Sequence, residues 1–458
     1  MRRMKLFAAL AILLIFTSCN TQKEPWQDLF NGSDLDGWVQ RNGEASYEIT
    51  DGVIVGRTVL NTPNSFLCTE KNYSDFILEY DVKVDSRLNS GVQIRSESKP
   101  DYQNGRVHGY QVELDPSDRA WSAGIYDEGR RGWLYPLDLN PVASTAFKKD
   151  EWNTFRVECV GSHIKTFLNG VAVANLYDEE TAEGFIALQV HAVADDPEKE
   201  GIEVMWKNIR IITEDVEQHE TESSAPVFSR LVNKLTDEEA SDGWELLFDG
   251  ASSDGWRNAY RETFPEHGWK IEDGVVTVLA SDGAESQNGG DIVTIDEYSD
   301  FDFQVEFNIS KGANSGIKYF VTENEKGNSM SAIGLEYQIL DDGNHPDAKL
   351  GNHEGSRTLA SLYDLIAASD AKRFYGIGVW NSARIVSEGT HVEHYLNGIK
   401  VLEYERRSEE FRKLVSESKY NAPEFNIGVN FGEADAGHIL LQDHGNEVSF
   451  RSVKIREL

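Results

Sequence analysis

The chain has 458 residues, of which 78 are Asp or Glu and 44 are Lys or Arg, giving a formal net charge of −34. This excess of negative charge argues against nucleic acid as a partner, because proteins bind phosphate backbones by neutralising them with cations. It also argues against a polybasic contact with a membrane surface, and it is typical of a highly soluble protein. The length is sufficient for two or more domains.

The first segment of the chain resembles a bacterial lipoprotein signal. Basic residues precede an apolar run at 6–16, and small residues then lead to Cys19. The run is too short to span a bilayer. We therefore predict a signal peptide over 1–19, acylation of Cys19 as the only membrane anchor, and a mature protein outside the cytoplasm, in the periplasm or at the outer membrane surface. Plain secretion after cleavage nearby is the alternative.

Two further cysteines, Cys68 and Cys159, both lie in the first half of the chain. An oxidising compartment would permit a disulfide between them. The second half has no cysteine at the matching positions, so the shared fold does not require one. We predict two buried free thiols.

The sequence is duplicated, which is the strongest signal that it carries. The block at 26–38 begins Trp-Gln-Asp-Leu-Phe and closes on Asp-Gly-Trp, and it returns without a gap at 244–256. An Asn-Ser-Gly block at 89–91 likewise returns at 314–316. Later blocks match at growing offsets, which indicates that the second copy carries insertions in its loops. The two Asp-Gly-Trp blocks are predicted to pack at a sandwich edge.

The duplication sets the predicted domains. The first repeat is assigned to 24–213 and the second to 243–458, joined by an acidic linker at 214–242. Thr236 precedes three acidic residues, a pattern typical of a helix N-cap, so the linker is expected to hold one short helix. A second helix is predicted at 408–418, inserted before the last strands of repeat two.

Short alternating segments dominate both repeats. The segments 91–95, 110–115 and 155–158 alternate apolar and polar residues, as strands with one buried face do. Asn-Gly pairs at 169–170 and 397–398 are strong hairpin signals. Many short strands separated by turns predict an all-β protein made of two tandem antiparallel β-sandwiches with few short helices.

Alternation also places polar side chains on a common face of the predicted sheets. The first repeat contributes Gln93, Arg95, Gln111, Glu113, Gln189 and His191. The matching positions of the second repeat are Lys318, Glu336, Gln338, Gln442 and His444. A carboxylate, amides, a cation and an imidazole on one surface suit proton transfer and sugar binding. The alternative is that these side chains merely face solvent.

A loop of the first repeat, 126–133, is rich in recognition groups. Tyr126, Arg130 and Trp133 are predicted to bind substrate, because aromatic rings stack on sugar faces and guanidinium groups donate paired hydrogen bonds. Tyr363 is the predicted counterpart of Tyr126 in the second repeat.

A divalent metal is a further possibility. His345, His353 and Glu354 offer suitable ligand atoms, although their spacing matches no metal motif. His394 is assigned neither to the core nor to the site. Serine-nucleophile, phosphate-loop and zinc-protease motifs are absent from the sequence, and no carboxylate pair of the ordinary glycosidase type stands out.

Together these motifs resemble two copies of the 3-keto-disaccharide hydrolase domain. The matching motifs are the Leu-Phe-x-Gly and Asp-Gly-Trp blocks, 89–95, 109–113 and 124–133 in the first repeat, and 336–341, 393–398 and 437–445 in the second. The resemblance implies a concanavalin-like (laminin-G-like) jelly roll in each repeat and action on sugars oxidised at C3. The first repeat departs in its last block, where Val190-His191-Ala192 replaces Asp443-His444-Gly445.

The resemblance also implies a mechanism. A ketone at C3 acidifies the C2 proton, so a base can remove it, the C1 glycosidic oxygen can leave, and water can add. Each repeat offers a histidine as the base, with a glutamate as the alternative or the orienting group: His191 with Glu113, and His444 with Glu336. Arg95 and Lys318 would stabilise the enediolate, and a divalent metal could substitute for them.

Two other readings stay open at the level of sequence. The repeats could form a non-catalytic pair of carbohydrate-binding modules, since jelly rolls also bind glycans without cutting them. Alternatively, repeat two could be catalytic and repeat one could hold the substrate. In every case the predicted partner is an oligosaccharide or glycoside.

Overall fold

The computed structural model describes residues 25–281, 288–326 and 329–458, with the side chains of 324–331 left out of the description. The predicted signal segment 1–19, including the acylation candidate Cys19, lies outside the described residues. No helix in the described part of the chain is long and apolar enough to cross a bilayer.

The first repeat and the linker contain sixteen strands. They are β1 (Gln27–Asp28), β2 (Trp38–Asn42), β3 (Ser46–Thr50), β4 (Val53–Arg57), β5 (Ser65–Thr69), β6 (Phe76–Val84), β7 (Ser90–Glu97), β8 (His108–Leu114), β9 (Ile125–Glu128), β10 (Gly132–Tyr135), β11 (Asn153–Val160), β12 (His163–Leu168), β13 (Val171–Tyr177), β14 (Phe185–Val190), β15 (Glu203–Ile212) and β16 (Val227–Ser229). One sheet has the order β16-β13-β12-β11-β6-β15-β4-β3, with β1 paired to β15. The other sheet, called here the front sheet, has the order β10-β9-β8-β7-β14-β5-β2.

The second repeat follows the same plan. Its described strands are β17 (Trp244–Leu246), β18 (Trp256–Asn258), β19 (Trp269–Glu272), β20 (Val275–Val278), β21 (Ile292–Thr294), β22 (Phe301–Ile309), β23 (Asn314–Lys326), β24 (Ser329–Leu340), β25 (Asn381–Glu388), β26 (His391–Leu396), β27 (Ile399–Glu405), β28 (His438–Leu441) and β29 (Val448–Glu457). Its front sheet has the order β18-β21-β28-β23-β24, and its other sheet has the order β19-β20-β29-β22-β25-β26-β27 with β17 on β29. The structure confirms the predicted all-β class and the pair of tandem concanavalin-like jelly rolls.

Helices are few and short in the described residues. The α-helices are α1 (Asp237–Ser241) and α2 (Glu409–Ser416), and the 3-10 helices are Leu137–Leu139, Pro141–Thr145, Pro197–Lys199, Val216–His219, Pro346–Lys349, Lys419–Asn421 and Pro423–Phe425. Helix α1 begins with a reciprocal capping box between Thr236 and Glu239. Helix α2 lies within the helix predicted at 408–418, and it is capped by Ser408, whose Oγ accepts a hydrogen bond from Phe411 N at 3.0 Å.

Each repeat has its own hydrophobic core between its two sheets. In the first front sheet Val92, Ile94 and Val112 point into that core, while Gln93 and Gln111 point to the opposite face. Burial of the apolar face therefore fixes which polar groups share the front surface.

The repeated Asp-Gly-Trp blocks pack as predicted. Trp38 and Trp256 are both buried, and Trp38 Nε1 donates to Leu29 O at 3.0 Å while Trp256 Nε1 donates to Leu247 O at 2.5 Å. Each indole therefore closes the sandwich over the strand that precedes it.

Cys68 and Cys159 are buried and unbridged, as predicted. Burial raises the pKa of each thiol to about 12, so neither is a thiolate at neutral pH.

Arg95 is the main departure from the predicted polar face. It adopts a φ of +43° at a β-bulge, where the pairing of β7 with β8 shifts between Ile94 and Glu97. The bulge turns the guanidinium away from Gln93 and buries it. Its acceptors are Ser74 O at 2.6 Å, Gly161 O at 2.7 Å and Asp75 Oδ1 at 2.9 Å. The prediction that Arg95 faces the site is therefore wrong, because one extra residue in a strand reverses the alternation.

Arg95 should instead contribute to stability. We expect Arg95→Met to lower the free energy of unfolding by about 2 kcal/mol, because the carbonyls of Ser74 and Gly161 lose their donor in a buried setting. Urea denaturation measures this effect. Arg87→Met is the control: Arg87 is exposed and forms an ion pair with its neighbour Asp85, so a change below about 0.5 kcal/mol is expected there. An equal loss in both variants would contradict the role given to Arg95.

Candidate functional site

A cavity of about 390 Å³, called site two, lies on the front sheet of the second repeat. Its lining contains every residue predicted to catalyse the reaction or to bind the sugar in this repeat, namely Lys318, Glu336, Gln338, Tyr363, Gln442 and His444. Asp291, Asn314 and Lys419 also line it, although they were not predicted as site residues.

The strand register sets the floor of site two. Lys318 of β23 pairs directly with Glu336 of β24, and Gly316 pairs with Gln338. A Cβ atom at Gly316 would overlap the Glu336 carboxylate. The glycine of the repeated Asn-Ser-Gly block therefore makes room for an acidic side chain on the neighbouring strand.

His444 is held by two features at the end of β28. Its Nε2 lies 3.2 Å from Asn314 Nδ2. Since an amide NH₂ can only donate, Nε2 is the acceptor and Nδ1 carries the hydrogen. The adjacent Asp443 accepts hydrogen bonds from the backbone N–H groups of Gly289, Gly290 and Gly445 at 3.0–3.1 Å. Asp443 is thus a structural anchor that positions the imidazole.

Gln338 is a polar residue of site two that lacks a protein partner in the described part of the chain. Its side chain is fully buried, and among the described residues neither its amide nitrogen nor its amide oxygen has a hydrogen-bond partner. A buried amide left unpaired is costly, and native structures rarely tolerate it. A polar ligand in the cavity would satisfy both atoms.

The wall of site two comes from an insertion. Residues 406–437 separate β27 from β28, whereas only 178–184 separate β13 from β14 in the first repeat. Tyr420 stacks on Phe431 with ring centroids 3.8 Å apart, and Lys419 Nζ lies 4.4 Å from the Tyr363 centroid and 5.1 Å from that of Tyr420. The insertion was visible in the sequence, but its contact with the site was not, since that contact is distant along the chain.

Tyr363 is fixed from outside the cavity. Its hydroxyl donates to Asp347 Oδ2 at 2.9 Å, and Arg357 bridges Asp347 and Asp364. Burial raises the pKa of Tyr363 well above its ordinary value, and the nearby carboxylates of Glu336 and Asp347 raise it further. The phenol is therefore a neutral hydrogen-bonding group.

A smaller cavity of about 240 Å³, called site one, occupies the matching place on the first front sheet. Its lining is Asn89, Gln111, Glu113, Arg119, Tyr126, Glu128, Trp133 and His191. Five of these residues were predicted. Asn89, Arg119 and Glu128 were missed, although the repeated Asn-Ser-Gly block already marked Asn89.

An amide chain lies under site one. Gln93 Nε2 and Gln189 Nε2 both donate to Gln111 Oε1, at 2.5 and 2.9 Å, and Gln111 Nε2 donates to Glu113 Oε2 at 2.9 Å. Gln93 and Gln189 therefore support the site from beneath. Asn89 donates to the other oxygen of Glu113.

Glu113 has the pKa of an acid–base catalyst. Burial raises its pKa to about 7, against the opposing effect of the hydrogen bonds from Asn89 and Gln111. His191 Nδ1 lies 2.8 Å from Ala192 O, so Nδ1 carries the hydrogen and Nε2 keeps its lone pair.

The two sites therefore use equivalent positions but differ in which side chain the repeated asparagine holds. The conserved asparagine holds the carboxylate in site one (Asn89 with Glu113) and the imidazole in site two (Asn314 with His444). The difference arises because the glutamate and the glutamine exchange places: β8 carries Gln111 and then Glu113, whereas β24 carries Glu336 and then Gln338.

Aromatic rings form the rim of site one. Trp133 meets Trp121 and Tyr126 edge to face, with centroids 4.6 and 5.2 Å apart. Arg119 lies over both indoles at 4.7 and 4.9 Å.

Comparison with known proteins identifies the family. The sequence model of the 3-keto-alpha-glucoside-1,2-lyase-like domain matches residues 25–212 and 243–456. The chain belongs to this family. A 3-keto-disaccharide hydrolase of Bacteroides thetaiotaomicron is 37% identical over 235 residues, covering 48% of this chain and 79% of the relative. The resemblance drawn from the motifs is confirmed.

Two solved structures each match about half of the chain. Two glycosyl hydrolase candidates from Parabacteroides distasonis ATCC 8503 share 30% and 27% identity, covering 50% and 47% of this chain and 100% and 99% of theirs. Their TM-scores are 0.43 and 0.34.

Arg130 does not line site one in this member of the lyase-like family. Its Nε donates to Asp127 at 2.7 Å and its Nη1 to Thr181 at 2.6 Å, and it lies over the Tyr110 ring. It faces a separate cleft between the repeats, because the turn after β9 points its side chain away from the front face. The prediction that Arg130 lines the same site as Tyr126 is therefore wrong, although Trp133 borders both site one and this cleft.

The predicted metal ligands do not converge. Among the described residues, the three-residue group with ligand atoms in reach of one another is His391, Glu393 and Glu403, not His345, His353 and Glu354. Lys400 Nζ already contacts Glu393 at 2.9 Å and Glu403 at 2.5 Å.

Two further histidines lie near site two and in the core. His345 lies near His444, with ring centroids 6.2 Å apart. Burial lowers the pKa of His345, and the nearby His444 lowers it further. His394 belongs to the core, where Tyr319 Oη contacts its Nε2 at 2.8 Å and burial lowers its pKa to about 3.

Proposed function

We propose that this protein cleaves glycosides of 3-keto-sugars, with site two as the reacting pocket. The unpaired, fully buried amide of Gln338 carries the proposal, because a polar ligand beside Glu336 and Lys318 would satisfy it. Membership of the 3-keto-alpha-glucoside-1,2-lyase-like family and the 3-keto-disaccharide hydrolase relative supply the substrate class.

The proposed reaction begins at C2 of the sugar. The ketone at C3 acidifies the C2 proton, and its removal places charge on the C3 oxygen. Expulsion of the C1 oxygen then forms the C1–C2 double bond, and the leaving group takes up a proton. Water adds at C1 and a proton returns to C2, so the net reaction is hydrolysis.

The hydrogen-bond pattern favours Glu336 as the base in site two. The lone pair of His444 Nε2 is occupied by Asn314, which leaves His444 Nδ1–H as a donor for the ketone or the departing oxygen. Lys318, across from Glu336, would stabilise the developing negative charge. This assignment exchanges the roles that the sequence suggested for the histidine and the glutamate.

Site one is proposed to act on a related sugar by its own acid–base pair. The pKa of about 7 at Glu113 and the available Nε2 of His191 favour a catalytic role over a purely binding one. The rings of Tyr126 and Trp133, which line site one, would hold the sugar ring at the rim.

A chromogenic substrate tests the proposal. We expect the full chain to release nitrophenol from 4-nitrophenyl 3-ketoglucoside but not from the unoxidised glucoside. In D₂O the ketosugar product should carry deuterium at C2, because the returning proton comes from solvent. Equal cleavage of the unoxidised glucoside, or product without deuterium, would contradict the elimination route. A parallel assay with a chelator tests whether a divalent metal takes part.

A further inference from the structure

Site two contains two lysines, Lys318 on the floor and Lys419 on the wall. Lys419 lies over the rings of Tyr363 and Tyr420, and its backbone N–H donates to Asp364 Oδ2 at 3.1 Å. The ammonium group is thus held at the cavity by both backbone and aromatic contacts, and it has no role in the reaction described above.

The surroundings of Lys419 make its ammonium group easier to deprotonate. Burial lowers its pKa, and the charges of Lys318 and Arg357 act in the same direction, against the opposing charges of Glu336 and Asp364. The side chain nevertheless remains accessible at the cavity opening. A lysine beside another cation is a common arrangement for amines that attack carbonyl groups.

We propose that the Lys419 amine condenses with the C3 ketone of the sugar in site two and carries the substrate as an iminium ion. This inference rests on the proposed function, since it needs a ketone in the cavity. The positive nitrogen accepts the electrons released at C2 more readily than a neutral ketone oxygen does.

The steps balance without any further reagent. The amine nitrogen bonds to C3, a solvent proton is taken up, and the ketone oxygen leaves as water to give the iminium. Glu336 removes the C2 proton, the C2–H electron pair forms the C2–C3 double bond, and the π pair of the carbon–nitrogen bond moves onto nitrogen to give an enamine. The enamine expels the C1 oxygen as an alcohol, which leaves a conjugated iminium. Water adds at C1, a proton returns to C2, and hydrolysis of the iminium releases the ketosugar and the free amine.

The first repeat is an internal control. No lysine lines site one among the described residues, and the insertion that carries Lys419 has no counterpart there. Covalent capture is therefore expected in the second repeat alone.

Reductive trapping tests the inference. The full chain is incubated with 4-nitrophenyl 3-ketoglucoside and sodium cyanoborohydride, which reduces iminium ions in preference to ketones. We expect progressive inactivation, and peptide mass analysis should find one adduct, on Lys419, with the mass of the ketosugar minus water plus two hydrogens. An adduct on Lys318 alone, or none while nitrophenol is released, would overturn the role of Lys419.

Substitutions separate nucleophilic attack from charge. Both Lys419→Arg and Lys419→Met should lower nitrophenol release about 100-fold or more, because a guanidinium retains charge but forms no iminium. Lys413→Met on exposed α2 is the control and should act like wild type. If Lys419→Arg keeps most activity, charge alone suffices and the iminium is excluded. If wild type releases no nitrophenol at all, the proposed function itself fails.

Discussion

Glu336→Gln should lower kcat for cleavage of a 3-keto-glucoside by about 10²- to 10⁴-fold, the usual contribution of a positioned general base. Glutamine keeps the volume that Gly316 accommodates on the facing strand, so the cavity should stay intact while the proton acceptor is lost. KM should change much less than kcat, because substrate binding relies on the amides and aromatic rings of the lining. Steady-state rates of nitrophenol release measure the effect.

Glu424→Gln provides the matched control for this prediction. Glu424 also lines site two, but it lies on the insertion and is exposed. Its amide variant should retain nearly all of the activity. If Glu336→Gln keeps more than a tenth of the wild-type kcat while Glu113→Gln abolishes cleavage, site one is the reacting pocket and the assignment to site two is wrong.

Glu113→Gln should change how stability depends on pH. An unfolded glutamate titrates at about 4.5, whereas burial raises the pKa of Glu113 to about 7 in the folded protein. The protonated form is favoured by folding, so its contribution to stability is complete below pH 4.5 and is lost as the pH rises through 7. The loss amounts to about 3 kcal/mol between pH 4 and pH 8.

Urea denaturation at several pH values measures this dependence. The free energy of unfolding of wild type minus that of Glu113→Gln should fall by about 3 kcal/mol from pH 4 to pH 8. A constant offset is also expected, since the new amide meets the donors of Asn89 and Gln111, but that offset does not vary with pH. The same difference for exposed Glu183→Gln should stay within about 0.5 kcal/mol. If the difference between wild type and Glu113→Gln does not change with pH, the pKa of Glu113 is not raised in the folded protein.

The fold and most of the site follow from local patterns in the sequence. Alternation along strands of the first repeat assigned polar residues to one face, and the duplication carried that prediction to Lys318, Glu336 and Gln442 at the equivalent positions of the second repeat, where all three line site two. Such a prediction works because an apolar face must be buried, and the period of a strand then assigns every other residue to the opposite side.

Two kinds of structural feature could not be predicted from the sequence. The bulge at Arg95 reverses the alternation at one residue, and Phe320 at the matching place has the same left-handed φ with an unrelated side chain, so residue type gives no warning. Lys419 and Tyr420 reach site two through a long loop, and the place where a loop folds back depends on contacts far along the chain.

The linker makes more contacts with the two repeats than its acidic composition indicated. Asn233 donates to Gly274 O at 2.8 Å and accepts from Ser452 N at 2.7 Å, while Pro226 O accepts from Tyr135. Composition indicated a linker with one short helix, and the structure adds hydrogen bonds from this linker to both repeats.

The exchange of acidic and amide side chains between the two pockets has an evolutionary consequence. Glutamate and glutamine codons differ by a single base, so one nucleotide change at each of two positions would convert the Gln111–Glu113 order into that of Glu336–Gln338. After the gene duplicated, two single-base changes in one copy would therefore have been enough to exchange the glutamate and the glutamine, while the other copy kept the original order.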